Sequence, residues 1–421
     1  MNARYSWQRC DDCHHELDEL DPLPRCPACN GLLAIVHATA VTRQTLAANP
    51  SPSGVWRYGD LVLPTATAVA VSYPEGNTPL LSRTAISDWC GVAALRIKHE
   101  GLNPTGSFKD RGMTVGITQA KRIGARAVAC ASTGNTSASL AAYAAHAGMP
   151  ALCLVPDGQV TTGKLTQTLA YGARTLLVDG DFDDCLRLMQ QASAELGVYL
   201  LNSINPFRLE GQKTIVFELL HQLDWRAPDW IVLPAGNLGN TAAFGKAIDE
   251  AVTHGLIDRR PRLAAVQAAN ASPFAAAFAR EFDRLVPVHA DTIATAIKIG
   301  APASYTRGVR AIRSTNGVVV TVTDAEILAA KGVIDRAGVG CEPASAAAVA
   351  GVRKLRGTRT IGSDESVVAV LTGHILKDTG ILQQIHADDS IAPSIANRPV
   401  RIGVDVREIA ALLDATSPAS E

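Results

Sequence analysis

From about residue 92 the chain alternates short apolar runs with helical patterns and glycine-containing turns. The runs ALRIKH (94–99), RAVACAS (126–132), ALCLVP (151–156), RTLLVD (174–179) and VYLLN (198–202) read as strands. So do DWIVLP (229–234), RLAAVQA (262–268), GVVVTV (317–322) and SVVAVLT (366–372). Between them SASLAAYAAHAG (137–148), DDCLRLMQQASAELG (183–197) and AEILAAKGVIDRAG (325–338) read as helices. Continuous apolar strands alternating with helices predict an α/β fold with parallel sheets covered on both faces. Ligands of such sheets bind beyond the carboxyl ends of the strands. The residues that follow a strand and precede a helix are therefore the candidates for chemistry.

Outside this pattern the chain is less regular. Residues 36–70 are mixed, with NPSPSG (49–54) marking a loop. The stretch beyond residue 380 ends in an expected strand and helix and carries no legible chemistry. A length of 421 residues predicts two domains with an appendage. With 47% hydrophobic and 19% charged residues the chain is globular, not disordered. A net charge of −1 argues against an electrostatic nucleic-acid binder. No apolar run is long enough for a membrane span, and the acidic start lacks a signal core, so the expected compartment is the cytosol.

Five of the nine cysteines, Cys90, Cys130, Cys153, Cys185 and Cys341, are scattered and read as reduced thiols. The other four form Cys10-x-x-Cys13 and Cys26-x-x-Cys29, a pairing suited to tetrahedral zinc. A redox pair or a metal-free knuckle is the alternative. His14 and His15 are adjacent further donors that four cysteines make unnecessary.

Five strand-to-helix or turn-to-helix junctions carry candidate chemistry. In NPTGSFKDRG (103–112) turn formers precede a helix that Ser107 is placed to cap, which puts Lys109 in the first turn. A cation there opposes the helix dipole, so its pKa should fall, making it a better amine nucleophile and base. The bland alternative is a solvated lysine balanced by Asp110. In STGNT (132–136), Ser132, Thr133, Asn135 and Thr136 bring hydroxyls and an amide to a helix start around Gly134, which makes either an anion site or an ordinary capped turn. In PAGNLGNT (234–241) the loop Gly236, Asn237, Leu238, Gly239, Asn240 and Thr241 has the N–H groups to cradle a phosphate, without the Walker pattern or the full dinucleotide fingerprint. At the end of a late strand Thr372 offers a hydroxyl to the mouth of the sheet, while Glu342 and Ser345 stand at another helix start, where Glu342 also suits the dipole.

Taken in order, these blocks resemble the pyridoxal-phosphate enzymes of fold type II, the tryptophan synthase β family, and within it the threonine synthases. EGNTPLL (75–81), NPTGSFKDRG, STGNTSASLAAYAAHAGM (132–149), NSINPFRLEGQKT (202–214), PAGNLGN, TIATAIKIGAPASY (292–305), GCEPASAA (340–347) and LTGHILKD (371–378) carry the resemblance, over roughly residues 5–380. It implies two doubly wound parallel-sheet domains behind a small cysteine knuckle. The implied partition is 1–35 for the knuckle, 36–105 as a segment of the large domain, 106–205 as a smaller closing domain, 206–385 as the large cofactor domain and 386–421 as a tail. It implies that Lys109 holds pyridoxal 5'-phosphate as an imine and moves protons, that Asn135 faces the cofactor's phenolic oxygen, that Gly236 to Thr241 hold its phosphate, and that Thr372 faces its ring nitrogen.

The resemblance also implies a second phosphate site, for the substrate. Thr136, Lys164 in TTGKLTQ (161–167), Asn202, Ser203 and Arg208 map onto it, with Phe207 a departure that leaves the polar positions intact. The implied reaction is the conversion of O-phospho-L-homoserine and water to L-threonine and phosphate, with a small molecule as substrate, no nucleic-acid or membrane partner, and a homodimer as the assembly. Other readings are a relative acting on another phosphorylated amino acid, as cysteate synthase does, a threonine or serine dehydratase, or a silent cofactor- or zinc-binding regulator.

Overall fold

The structure, a computed structural model, describes residues 5–416 apart from 133, 159–161, 181, 389–390 and 392–394. The chain forms two compact units, Met1–Thr379 and Gly380–Glu421.

Among the described residues the first unit holds three sheets. At its start β1 (Ser6–Cys10), β2 (Glu16–Leu17) and β3 (Leu33–His37) make an antiparallel sheet in the order β2-β1-β3, which the apolar pattern did not predict. It is built around the cysteines, whose short buried runs are too brief to register as strands. The second sheet takes the order β12-β11-β10-β13-β5-β4. Here β4 is Leu80–Leu81, β5 Leu95–His99, β10 Trp230–Pro234, β11 Arg262–Ala268, β12 Val318–Val322 and β13 Val367–Leu371. All its neighbours are parallel except the edge strand β4. The third sheet is parallel, in the order β8-β7-β6-β9, with β6 Ala127–Ala131, β7 Ala151–Pro156, β8 Arg174–Val178 and β9 Val198–Leu200.

The Pro206–Gln222 helix is buried over most of its length, and its charges would be costly if alone. Glu210, Lys213 and Glu218 on it are in ion pairs. Arg111 makes bidentate contact with Glu100 at 2.6 and 2.8 Å and reaches Glu218 at 2.8 and 3.1 Å, and Lys98 Nζ donates to Glu218 at 2.6 Å. This network locks β5, the Lys109–Arg122 helix and the Pro206–Gln222 helix into one frame.

In the second unit the expected helix is present as Val406–Thr416. The expected strand before it is not formed among the described residues. Val400, Ile402 and Val404 are exposed and no strand lies alongside to accept their ladder bonds. Among the described residues no helix is long and apolar enough to cross a membrane.

Candidate active site

A cleft of about 1260 Å3 opens at the carboxyl ends of the two parallel sheets. Lys109 is half-buried in it and is the first residue of the Lys109–Arg122 helix. The helix is not capped by Ser107. Phe108 occupies the cap position, and the Ser107 hydroxyl is buried without a partner. The backbone is otherwise committed: Ser107 bridges to Gly373, the Phe108 amide donates to the Thr372 carbonyl at 3.0 Å, and the His374 amide donates to Gly106 O at 2.8 Å. This zipper brings Lys109 beside the end of β13.

Asp110 does not balance Lys109. It is buried and accepts from the Thr105 amide at 2.7 Å and from the Thr105 and Ser139 hydroxyls at 2.6 Å each. The Lys109 ammonium is left to its surroundings, which pull its pKa down to about 7, first by burial and then by the Arg208 guanidinium, with Glu342 opposing. The fall is in the direction expected from sequence, but desolvation causes it, not the dipole.

In the same cleft, Asn135 opens the Asn135–Ala147 helix and donates from Nδ2 to Glu342 Oε2 at 3.0 Å. Glu342 is buried, which raises its carboxyl pKa, and it fits only because Gly373 has no side chain: a Cβ there would stand 2.4 Å from the Glu342 carboxyl carbon. Thr372 and Ser345 share a hydroxyl contact at 3.0 Å, and the Thr372 amide donates to Ser345 Oγ at 2.9 Å. Ser132 and Thr136 line the same cleft, whereas Thr133 lies outside the described residues.

Of the Gly236–Thr241 segment, Gly236–Leu238 form the turn after β10, and Gly239–Thr241 are the first residues of the Gly239–Thr253 helix. Leu238 takes a left-handed φ of 62°, a conformation costing a branched residue of order 1–3 kcal/mol. Gly239, Asn240 and Thr241, in the first turn of that helix where N–H groups have no intrahelical partner, line the cleft. Gly236 permits close approach, since a Cβ would stand 3.0 Å from Ile297 Cα. Thr241 Oγ1 and Asn240 Oδ1 are buried at the same helix start without partners among the described residues. An unused hydroxyl at a helix N-terminus, a low-pKa lysine and an amide lining the same cleft fit pyridoxal phosphate.

On the substrate side Ser203 lines the cleft and accepts from Asn237 Nδ2 at 2.7 Å. Asn202 lies outside the lining and accepts from the Ala131 amide at 3.3 Å. Arg208 differs from the expectation: it is 1% exposed and does not line the cleft. Its Nη1 donates to Leu201 O at 2.9 Å while Nε and Nη2 have no partner among the described residues. It packs against Gly112 and Gly116, where Cβ atoms would stand 3.3 Å from Arg208 Cβ and 3.4 Å from Arg208 Cγ. Lys164 falls in the Thr162–Ala170 helix, and its side chain lies outside the described residues.

Sequence reasoning missed Gln212 and Lys377, which also line the cleft. Lys377 Nζ donates to Thr105 O at 3.1 Å and also to Gln167 Oε1. Its signal was its place in LTGHILKD, five residues after Thr372.

Away from the cleft, the Sγ atoms of Cys10, Cys13, Cys26 and Cys29 all lie within 4.8 Å of one another. The Cys10–Cys29 and Cys13–Cys26 separations are 3.4 and 3.6 Å. Four thiolates around zinc at about 2.3 Å would stand about 3.8 Å apart, so the donor set fits that ion. Each pair is followed by a left-handed residue, His14 at φ 61° and Asn30 at φ 61°, which turns the knuckle. His14 and His15 are exposed.

Residues 71–373 match the family model described as pyridoxal-phosphate dependent enzyme. The chain is 45% identical over 375 residues to the threonine synthase of Methanosarcina acetivorans, covering 88% of this chain and 92% of that one. It is 44% identical over 376 residues to that of Methanocaldococcus jannaschii, covering 88% and 93%. The solved threonine synthase of Escherichia coli, only 18% identical, shares the fold with a TM-score of 0.71 over 98% of this chain and 100% of that one. The matches extend across both parallel sheets and the cleft between them, and the chain belongs to the pyridoxal-phosphate-dependent enzymes and, within them, to the threonine synthases.

Proposed function

We propose that the chain converts O-phospho-L-homoserine and water to L-threonine and phosphate. The observation that carries the reading is the meeting, in one cleft, of a lysine of depressed pKa and a helix start whose Thr241 hydroxyl is buried with no partner among the described residues. Lys109 holds pyridoxal phosphate covalently, Gly236 to Thr241 hold its phosphate, Asn135 faces its phenolic oxygen and Thr372 its ring nitrogen. When bound, the cofactor supplies the electron sink that makes loss of a Cα proton accessible. Lys109 Nζ takes that proton and later returns one, which an amine titrating near neutrality does in both directions. Thr372 is a neutral hydroxyl and does not force a proton onto the ring nitrogen, which suits elimination and replacement.

The substrate's phosphate is taken by Thr136, Lys164, Asn202, Ser203 and Arg208, with Ser132 and Thr133 on the carboxylate side. The two unpartnered nitrogens of Arg208 support its part, since a buried guanidinium with unused donors favours an incoming anion. The four cysteines hold a structural zinc ion. The deciding assay compares phosphate release from O-phosphohomoserine and O-phosphoserine with ammonia release from threonine. A strong preference for phosphohomoserine is expected; preference for phosphoserine with sulfite, or for threonine, would replace this reading with a cysteate-synthase-like or dehydratase one.

A further inference from the structure

One helix touches both the cysteine knuckle and the phosphate loop, which are more than 200 residues apart in sequence. Arg307 and Gly308 are neighbours on the Tyr305–Ser314 helix. Arg307 is buried; its Nε donates to the Asp11 carboxylate at 2.5 Å and its Nη2 to Leu33 O at 2.6 Å. Asp11 stands between Cys10 and Cys13 and also accepts from Arg310 Nη1 at 3.1 Å. The helix is therefore fastened to the tip of the knuckle and to β3 by charge-assisted bonds.

One residue further on, the same helix meets the loop. A Cβ on Gly308 would stand 3.0 Å from Leu238 Cδ1 and 3.3 Å from Leu238 Cβ. Leu238 is the left-handed residue whose conformation needs support from its surroundings. Just before the helix, the Ala303 amide donates to Asn237 Oδ1 at 2.5 Å and the Ser304 amide to Asn237 O at 3.3 Å. Further along, a Cβ on Gly245 of the Gly239–Thr253 helix would stand 2.4 Å from Ala311 Cβ, so the two helices are in close register. The Tyr305–Ser314 helix thus braces both residues that shape the loop and the helix that follows it.

We infer that the knuckle is a positioning element for the cofactor. The Asp11–Arg307 pair sets the seat of the Tyr305–Ser314 helix, and that seat keeps Leu238 left-handed and Asn237 in place. Asp11 and Arg307 touch neither cofactor nor substrate and act through the loop. The inference rests on the reading of Gly236 to Thr241 as the cofactor's phosphate site.

The test titrates apoenzyme with pyridoxal phosphate and records the 31P resonance of the bound phosphate, for the wild type, Asp11→Asn, Gly308→Ala, the double variant and Thr241→Val. Asp11→Asn is expected to raise the cofactor Kd roughly tenfold and to move the resonance, as loss of one charged positioning contact would. Gly308→Ala pushes on Leu238 without touching the knuckle and should move the same resonance, with a double variant weaker in effect than the sum. A brace that served only global stability would lower the melting temperature and leave the resonance where it was. Kd values within about twofold of wild type, with unmoved resonances in both single variants, overturn the inference. If Asp11→Asn does not fold, Arg307→Lys, which keeps the charge and loses the fork, takes its place in the same comparison. Thr241→Val separates the underlying reading: an unchanged Kd there removes the phosphate loop itself, whereas a raised Kd with silent Asp11 and Gly308 variants removes only the coupling.

Discussion

The Phe108 amide donates to the carbonyl of Thr372 at 3.0 Å, tying the residue before Lys109 to the end of β13. The two groups proposed to face opposite parts of the cofactor, Lys109 and Thr372, lie 263 residues apart in the chain and are thereby placed by one backbone contact. Rigid backbone pairing of this kind sets a reacting amine within the narrow tolerance that catalysis needs.

The first prediction concerns the titration of Lys109. Its pKa of about 7 in the folded protein lies below the 10.5 of an ordinary lysine. Between these values the unfolded chain binds the extra proton, so this group makes the apoprotein more stable as pH rises through that window. The rate of covalent capture of pyridoxal phosphate by apoenzyme should rise with pH up to about 7 and then level off. Arg208→Met removes a neighbouring positive charge and should move the inflection upward. Borohydride reduction and peptide mapping should place the label on Lys109; a label on Lys98, which is buried against Glu218, would overturn the assignment.

Glu218 offers a second prediction. Burial alone would raise its pKa, but Arg111 and Lys98 hold it well below the usual 4.5. A depressed carboxylate contributes stability that is present above the unfolded pKa and lost as pH falls below it toward the folded one. Glu218→Gln leaves Arg111 and Lys98 underpaired in the interior and should cost roughly 3–5 kcal/mol in urea unfolding at neutral pH. The deficit should shrink as the wild type is acidified below pH 4.5. A constant deficit across that range would mean that packing, not charge, is what the substitution removes.

A third prediction tests the knuckle metal. Protein purified without chelator should hold about one equivalent of zinc, with Cys10, Cys13, Cys26 and Cys29 protected from thiol reagents until a chelator is added. Less than about a tenth of an equivalent, with four freely titrating thiols, would leave a metal-free knuckle as the better account.

The parallel strands were legible because their apolar runs are continuous: RLAAVQA and ALCLVP coincide with β11 and β7. The loop at Gly236 to Thr241 was legible because glycine and asparagine after an apolar run leave few other conformations. What escaped was set by partners far away in sequence. β1 and β3 are brief strands that exist because they pair with each other. Ser107 looked like a cap, but its backbone had already been taken by Gly373. The low pKa of Lys109 was foreseen from a dipole, yet burial and Arg208, 99 residues away, produce it.

The last prediction concerns Arg208. It is fully charged at neutral pH although burial pulls its pKa down to about 10, and only Nη1 is hydrogen-bonded. Holding a guanidinium in the interior with two idle nitrogens is costly unless an anion arrives. If that anion is the substrate's phosphate, Arg208→Ala should lower kcat/KM for O-phosphohomoserine by roughly one to two orders of magnitude, the worth of a charge-assisted hydrogen bond. Cofactor content should stay nearly unchanged, and any weak ammonia release from threonine or serine should survive, since neither carries a phosphate. The rival is a brace: through Leu201 O and its packing on Gly112 and Gly116, Arg208 joins the end of β9 to the Lys109–Arg122 helix. A brace would take stability and both activities down together. Arg208→Lys separates the two further, because it keeps a charge for the phosphate but cannot reproduce the fork. Partial recovery on the phosphorylated substrate, without recovery of melting temperature, is the outcome expected of an anion site; equal losses on phosphorylated and unphosphorylated substrates would assign Arg208 to the scaffold.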